Sequence, residues 1–195
     1  MKKRVLLITG TPCVGKTTVS QLLTAKLDAL YVNLTDFAQK ENLISSQDPA
    51  RNTMIIDEPL MEQRLVSVIE KSSKNTIIID GHFAAAVVPP MLVTKIFVLR
   101  RDPIELRSFM ENCGFSNNKL WENLASEILD VCLIEALHRH EIEKVCEFDV
   151  SSRTAELVVN KIEQVLEGQI SCEVGCVDWL GKLEAENLLE EFLRV

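Results

Sequence analysis

The chain has 195 residues, of which 47% are hydrophobic and 26% charged, and its formal net charge is −8. That length fits one domain with a sizeable core, and that composition excludes a disordered chain. The acidic balance excludes a nucleic-acid binder working through a broad basic field, because neutralising phosphates takes clustered Lys and Arg.

Val5, Leu6, Leu7 and Ile8 form a short continuous apolar run, the pattern of a central parallel strand covered on both faces. A helix is expected over 15–27, with Val19, Leu22, Leu23 and Leu27 at helical spacing. A second short strand is expected over 29–34 and a short helix over 36–42, inside a polar stretch that ends near Ile56. A helix over 59–71 leads into Thr76, Ile77, Ile78, Ile79 and Asp80, a β-branched run closed by a carboxylate. After a loop, the run from Lys95 to Leu99 reads as another buried strand. Helical periodicity covers 103–110, breaks at Gly114 and the pair Asn117 and Asn118, and returns over 120–143. A last strand is expected over 145–150, then a helix over 154–167 capped by Ser152. Residues 168–178 resemble a linker, and 179–193 a small amphipathic, Glu-rich appendix. Strands alternating with helices imply an α/β fold, a doubly wound parallel sheet with ligands at the carboxyl ends of its strands.

Six cysteines at irregular spacing, with no signal peptide, point to reduced thiols, no structural disulfide and a cytoplasmic chain. Cys172 and Cys176 make only half a metal motif. The most apolar stretch, 83–99, is interrupted by Pro89, Pro90, Thr94 and Lys95 and is too short and broken for a membrane span.

The pattern Gly10, Thr11, Pro12, Cys13, Val14, Gly15, Lys16, Thr17 is a P-loop, following an apolar strand and opening an apolar-periodic helix. Its backbone N–H groups and the positive helix terminus face phosphates. Lys16 contributes a point charge to the β and γ oxygens of ATP, Thr17 a hydroxyl to magnesium and Thr18 a further phosphate contact. Asp80, ending a β-branched run, stands where a Walker B carboxylate would hold the magnesium, and His82 follows it in Asp80-Gly81-His82.

These residues resemble a known group. The Gly10-Thr11-Pro12 opening, Asp80-Gly81-His82, Phe97-Val98-Leu99-Arg100 and the segment Gly114-Phe115 through Lys119-Leu120 to Glu122-Asn123 are together similar to the adenylate kinase isoenzyme 6 family of archaea and eukaryotic nuclei. The resemblance covers about residues 4–165. It implies a five-stranded parallel core in one domain spanning 1–195. An NMP-binding insert would lie at about 33–56 and a lid at about 112–122, with the appendix over 169–195 outside the match. It further implies broad nucleoside monophosphate kinase activity, ATPase activity, and late small-subunit ribosome maturation through a ribosomal protein, with no sequence-specific nucleic-acid contact.

Mapped residue by residue, the resemblance assigns ATP to Cys13, Gly15, Lys16, Thr17, Thr18 and Cys113. It assigns the monophosphate to Asp36, Gln39, His82 and Arg100, and magnesium to Thr17 and Asp80. Three positions depart from the family. Cys113 stands for a lid arginine, Gln39 for an arginine of the insert and Cys13 for a glycine; a lysine such as Lys119 does not reproduce a guanidinium fork. Cys13 implies mild backbone strain or a reactive thiol. Three functions follow: phosphoryl transfer from ATP to a monophosphate with Lys16, Asp80 and His82 as the catalytic set; an assembly ATPase with water as acceptor, its acidic C-terminal helix docking a basic ribosomal tail; or some other small-molecule P-loop kinase.

Overall fold

The computed structural model describes residues 3–48 and 53–194. The elements run β1 (Arg4–Thr9), α1 (Lys16–Leu27), β2 (Leu30–Asn33), α2 (Leu34–Lys40), β3 (Ile44–Asp48), β4 (Thr53–Ile56), α3 (Glu58–Lys71), β5 (Thr76–Asp80) and α4 (Ala84–Val87). They continue with β6 (Val93–Arg100), α5 (Pro103–Asn112), α6 (Asn117–Ile128), α7 (Val131–Arg139), a 3₁₀ turn, β7 (Val145–Asp149), α8 (Ala155–Leu166), α9 (Trp179–Ala185) and α10 (Leu189–Phe192).

Five strands form one parallel sheet in the order β2-β5-β1-β6-β7, confirming the doubly wound α/β P-loop fold. Side chains alternate across a strand, so each continuous apolar run serves two cores. Leu6, Ile8, Ile78, Phe97 and Leu99 pack with Leu23, Leu106, Leu124 and Ile162 on one face. Val5, Leu7, Ile77, Ile79, Ile96 and Val98 pack with Leu65, Ala84 and Leu133 on the other. Each fully buried Val, Leu or Ile contributes roughly 1.5–3 kcal/mol, so the central strand β1 anchors both layers.

Caps set several boundaries. Asn33, Asp57 and Asp102 accept from the backbone N–H groups of Asp36, Leu60 and Ile104, opening α2, α3 and α5. Thr154, rather than Ser152, caps α8 by accepting from the Leu157 N–H, because Ser152 sits in the left-handed region at φ 53°. The helix expected over 120–143 is divided: Asp130 adopts φ 57°, which ends α6 and redirects α7. The expected appendix helix is likewise two short helices, α9 and α10. The stretch expected to be the insert contains an antiparallel pair, β3 with β4, that polar composition did not reveal.

The expectation of no disulfide is overturned. Cys146 on β7 is bonded to Cys172, 26 residues on, because residues 170–176 fold back against the edge strand instead of running away as a linker. Along that path the Glu147 N–H donates to the Glu173 carbonyl at 2.8 Å. Glu147 Oε2 accepts in turn from the N–H groups of Gly175 and Cys176 at 2.8 and 2.9 Å. Cys172 is thereby spent, and the half-motif it forms with Cys176 is divided between two roles.

Candidate phosphate-binding and catalytic site

The strand order reverses at β1: the chain leaves it towards β2 on one side, and β6 and β7 fill the other. Ligands of doubly wound sheets bind at this crevice, and here residues 10–17 connect β1 to α1. Gly10 is required because its φ is +136° and a Cβ would lie 2.3 Å from the Leu99 carbonyl oxygen. Gly15, at φ +106°, heads α1 with no side-chain cap, and the first turn carries no acidic residue. The helix therefore presents its unsatisfied N–H groups and positive end to an external anion.

Lys16 is folded onto its own loop, with Nζ donating to the carbonyl oxygens of Gly10 and Thr11 at 2.8 Å each. Burial lowers its pKa, opposed by Cys132, Asp80 and other neighbours. Thr17 and Thr18 are exposed at the helix start. A cleft of about 580 Å³ opens there, lined by Lys16, Thr17, Thr18, Arg101, Phe109 and Arg153. Cys13 occupies the left-handed region at φ 67°, the strain expected where a glycine is usual. Its thiol is not activated: burial and then the adjoining Cys113 thiol push it up to about 12. Cys113 itself is exposed at the end of α5, so the structure brings together two of the three departures.

Asp80 ends β5 in register with Ile8 and Asn33. Its carboxylate is buried and accepts from Tyr31 Oη at 2.7 Å and Asn33 Nδ2 at 2.6 Å. Burial and the bond to Asp80 raise the Tyr31 hydroxyl to about 12, so it stays a donor, and it also interacts with Thr17. Thr17, Tyr31 and Asp80 thus form one oxygen-lined cluster beside the P-loop. Sequence reading missed Tyr31 and Asn33; their only signal was position on the strand that pairs with β5.

His82, two residues after Asp80, keeps part of its surface in solvent, while its ring is crowded by protein and lies edge-on to Phe83 at 4.9 Å. Desolvation, with Lys16 and Lys119 adding repulsion, lowers its pKa to about 4. The imidazole is therefore neutral near pH 7. Its carbonyl accepts from Thr9 Oγ1 at 3.1 Å, tying the segment to β1. Asp36 and Gln39 are exposed on α2, the helix that starts beside the Asn33 partner of Asp80.

Arg100 is a correction. It is 1% exposed, with its guanidinium enclosed by carboxylates. Nε donates to Glu127 at 2.9 Å, Nη1 to Glu147 at 2.6 Å, and Nη2 to the Glu127 carbonyl at 2.8 Å and to Asp130. A guanidinium so enclosed serves a structural network instead of a monophosphate. Arg107 is also engaged, by Glu111 and Glu191 and over the rings of Trp121 and Phe192. Arg101 takes the place near the loop: it stacks on Phe109 and donates to the Val14 carbonyl at 3.2 and 3.3 Å.

The P-loop at the switch point of a parallel sheet defines a nucleoside triphosphate-binding fold. Among solved structures, shikimate kinase from Bacteroides thetaiotaomicron superposes with a TM-score of 0.59 at 17% identity, covering 84% of this chain and 98% of that one, which shows the shared fold. The model of the AAA domain matches residues 6–130. A Pyrococcus furiosus protein named "Putative adenylate kinase" is 38% identical over 90% of this chain and 91% of its own. Proteins of the same name from Methanococcus maripaludis and Methanocaldococcus jannaschii are 32% and 34% identical, each over 90% of this chain and 95% and 92% of their own. The chain belongs to the AAA-domain family and to the family of these proteins named putative adenylate kinase.

Proposed function

We propose that the chain transfers the terminal phosphoryl group of ATP to a nucleoside monophosphate. The carrying observation is the convergence at one strand-end crevice of the uncapped P-loop helix, Lys16, the Thr17–Tyr31–Asp80 oxygen cluster and the neutral His82. The names of the archaeal relatives support the same reading.

Phosphoryl transfer asks the protein for position and charge neutralisation more than covalent chemistry. The loop N–H groups and the N-terminus of α1 hold the β and γ phosphates. Lys16, now on the Gly10 and Thr11 carbonyls, exchanges those acceptors for phosphate oxygens. Arg101 flanks the cleft, where Phe109 offers an apolar face to the base. A hydroxyl and a carboxylate are hard oxygen donors of the kind magnesium takes together with water and substrate phosphates, so Thr17 and Asp80 fit that ion. Bound there, magnesium would neutralise charge on the phosphate oxygens. His82, neutral, donates its remaining ring N–H to an oxygen of the acceptor phosphate and orients it.

A second reading is supported by missing arginines: Gln39 on the acceptor side and Cys113 on the ATP side stand where the resembled family has them, and Arg100 is enclosed. This favours hydrolysis, with water as acceptor. Membership of the isoenzyme 6 group and small-subunit ribosome maturation through a ribosomal protein are proposed on the resemblance alone.

The test measures ADP formation and phosphate release from MgATP with and without AMP, CMP and their deoxy forms, using Lys16→Ala as the blank. ADP matched by phosphorylated monophosphate is expected. Free phosphate with no phosphorylated monophosphate would overturn the kinase reading in favour of hydrolysis. Retention of a small-subunit ribosomal protein by the immobilised chain tests the assembly role.

A further inference from the structure

The C-terminal appendix reaches the P-loop through one carboxylate. Glu127, on α6, is 1% exposed, and its two oxygens are divided between two parts of the chain. Oε2 accepts from Thr11 Oγ1, inside the P-loop, at 2.5 Å. Oε1 accepts from Arg100 Nε at 2.9 Å, the Arg101 N–H at 3.0 Å and Trp179 Nε1 at 3.1 Å. Trp179, at the start of α9, is itself buried. The appendix is held in place independently: Leu183 is fully buried in the core, Lys182 pairs with Asp102 beside Arg101, and Glu191 pairs with Arg107 at 2.7 Å.

A carboxylate removed from water is stable only while its lone pairs are filled by donors. Here the donor from the appendix and the donor from the P-loop fill opposite ends of the same group, with Arg100 between the layers. We propose that Trp179 is a positioning residue for the nucleotide site: by holding Glu127 in this orientation it fixes Thr11, and so the opening of the P-loop, in its phosphate-binding conformation. The inference deepens the proposed function and rests on its ATP-binding part.

Trp179→Phe keeps most of the ring packing and removes only the indole donor. MgATP affinity, by isothermal titration, and the melting temperature are measured for the wild type, Trp179→Phe, Thr11→Val and the double variant. Trp179→Phe is expected to weaken MgATP binding about fivefold, as loss of one charge-assisted hydrogen bond within the network suggests. The double variant is expected to bind no more weakly than Thr11→Val, since both changes act through Glu127. A structural role alone would lower the melting temperature and leave the affinity of the folded chain within twofold of wild type, and that result would overturn the proposal. Multiplicative losses in the double variant would overturn it too. A wild-type chain that binds no MgATP would instead remove the ATP reading, and this inference with it.

Discussion

Replacing Arg100 with methionine separates a structural guanidinium from a substrate contact. In the folded chain Arg100 joins Glu127 and Glu147, whose side chains are 1% and 0% exposed, and the more exposed Asp130. Methionine fills much of the volume but leaves two buried carboxylates without their cation. Removing one partner of a buried ion pair costs about 3–5 kcal/mol, because the remaining charge has lost its solvation and its counter-charge together. In a domain of this size each kcal/mol moves the melting temperature by about 2–4 °C, so a fall of roughly 6–20 °C is expected. The assay is urea and thermal unfolding of both proteins, with affinity for AMP measured alongside. A variant that unfolds within about 1 kcal/mol of wild type and binds AMP tenfold more weakly would refute the reasoning and return Arg100 to the acceptor site.

Two further outcomes follow from the geometry. Because desolvation and two cations hold His82 at about 4, its neutral form persists as pH drops, and kcat/KM should show no acid limb near the ordinary histidine value of about 6.5. A limb near 6.5 that vanishes in His82→Asn would contradict that assignment. The Cys146–Cys172 bond closes a loop with 26 residues of separation. Chain entropy credits such a closure with about 3.5 kcal/mol, so reductant should lower the melting temperature of the wild type and leave Cys172→Ser unmoved; equal melting with and without reductant would show that the bond carries no stability.

Much of the site was legible because it is local. Residues 10–17 carry their chemistry in consecutive positions: Gly10 and Gly15 supply the turn, Lys16 and Thr17 the groups proposed to meet phosphate and magnesium, and the apolar run before them identifies the strand. Asp80-Gly81-His82 was readable for the same reason, a strand end whose last residue is a carboxylate. The helix break at Asp130 was not, since nothing in its neighbours demands a left-handed residue; Arg100 draws the Asp130 side chain into the buried network. The support for Asp80 was hidden as well, because Tyr31 and Asn33 meet it only through the pairing of β2 with β5.

The sequence by itself determined the alternating α/β pattern, the parallel sheet and the phosphate-binding loop, all set by hydrophobic period and contiguous residue types. Tertiary structure alone decided what Arg100 does, where the cysteines at 146 and 172 meet, and that Trp179 shares a carboxylate with Thr11. Those contacts join residues 26 to 116 positions apart, and side-chain identity says nothing about such pairs until the sheet order brings them together. Arg100 shows the reason most plainly: a guanidinium at a strand end suits a phosphate or a carboxylate equally well, and only the packing of α6 and β7 around it selects the carboxylates.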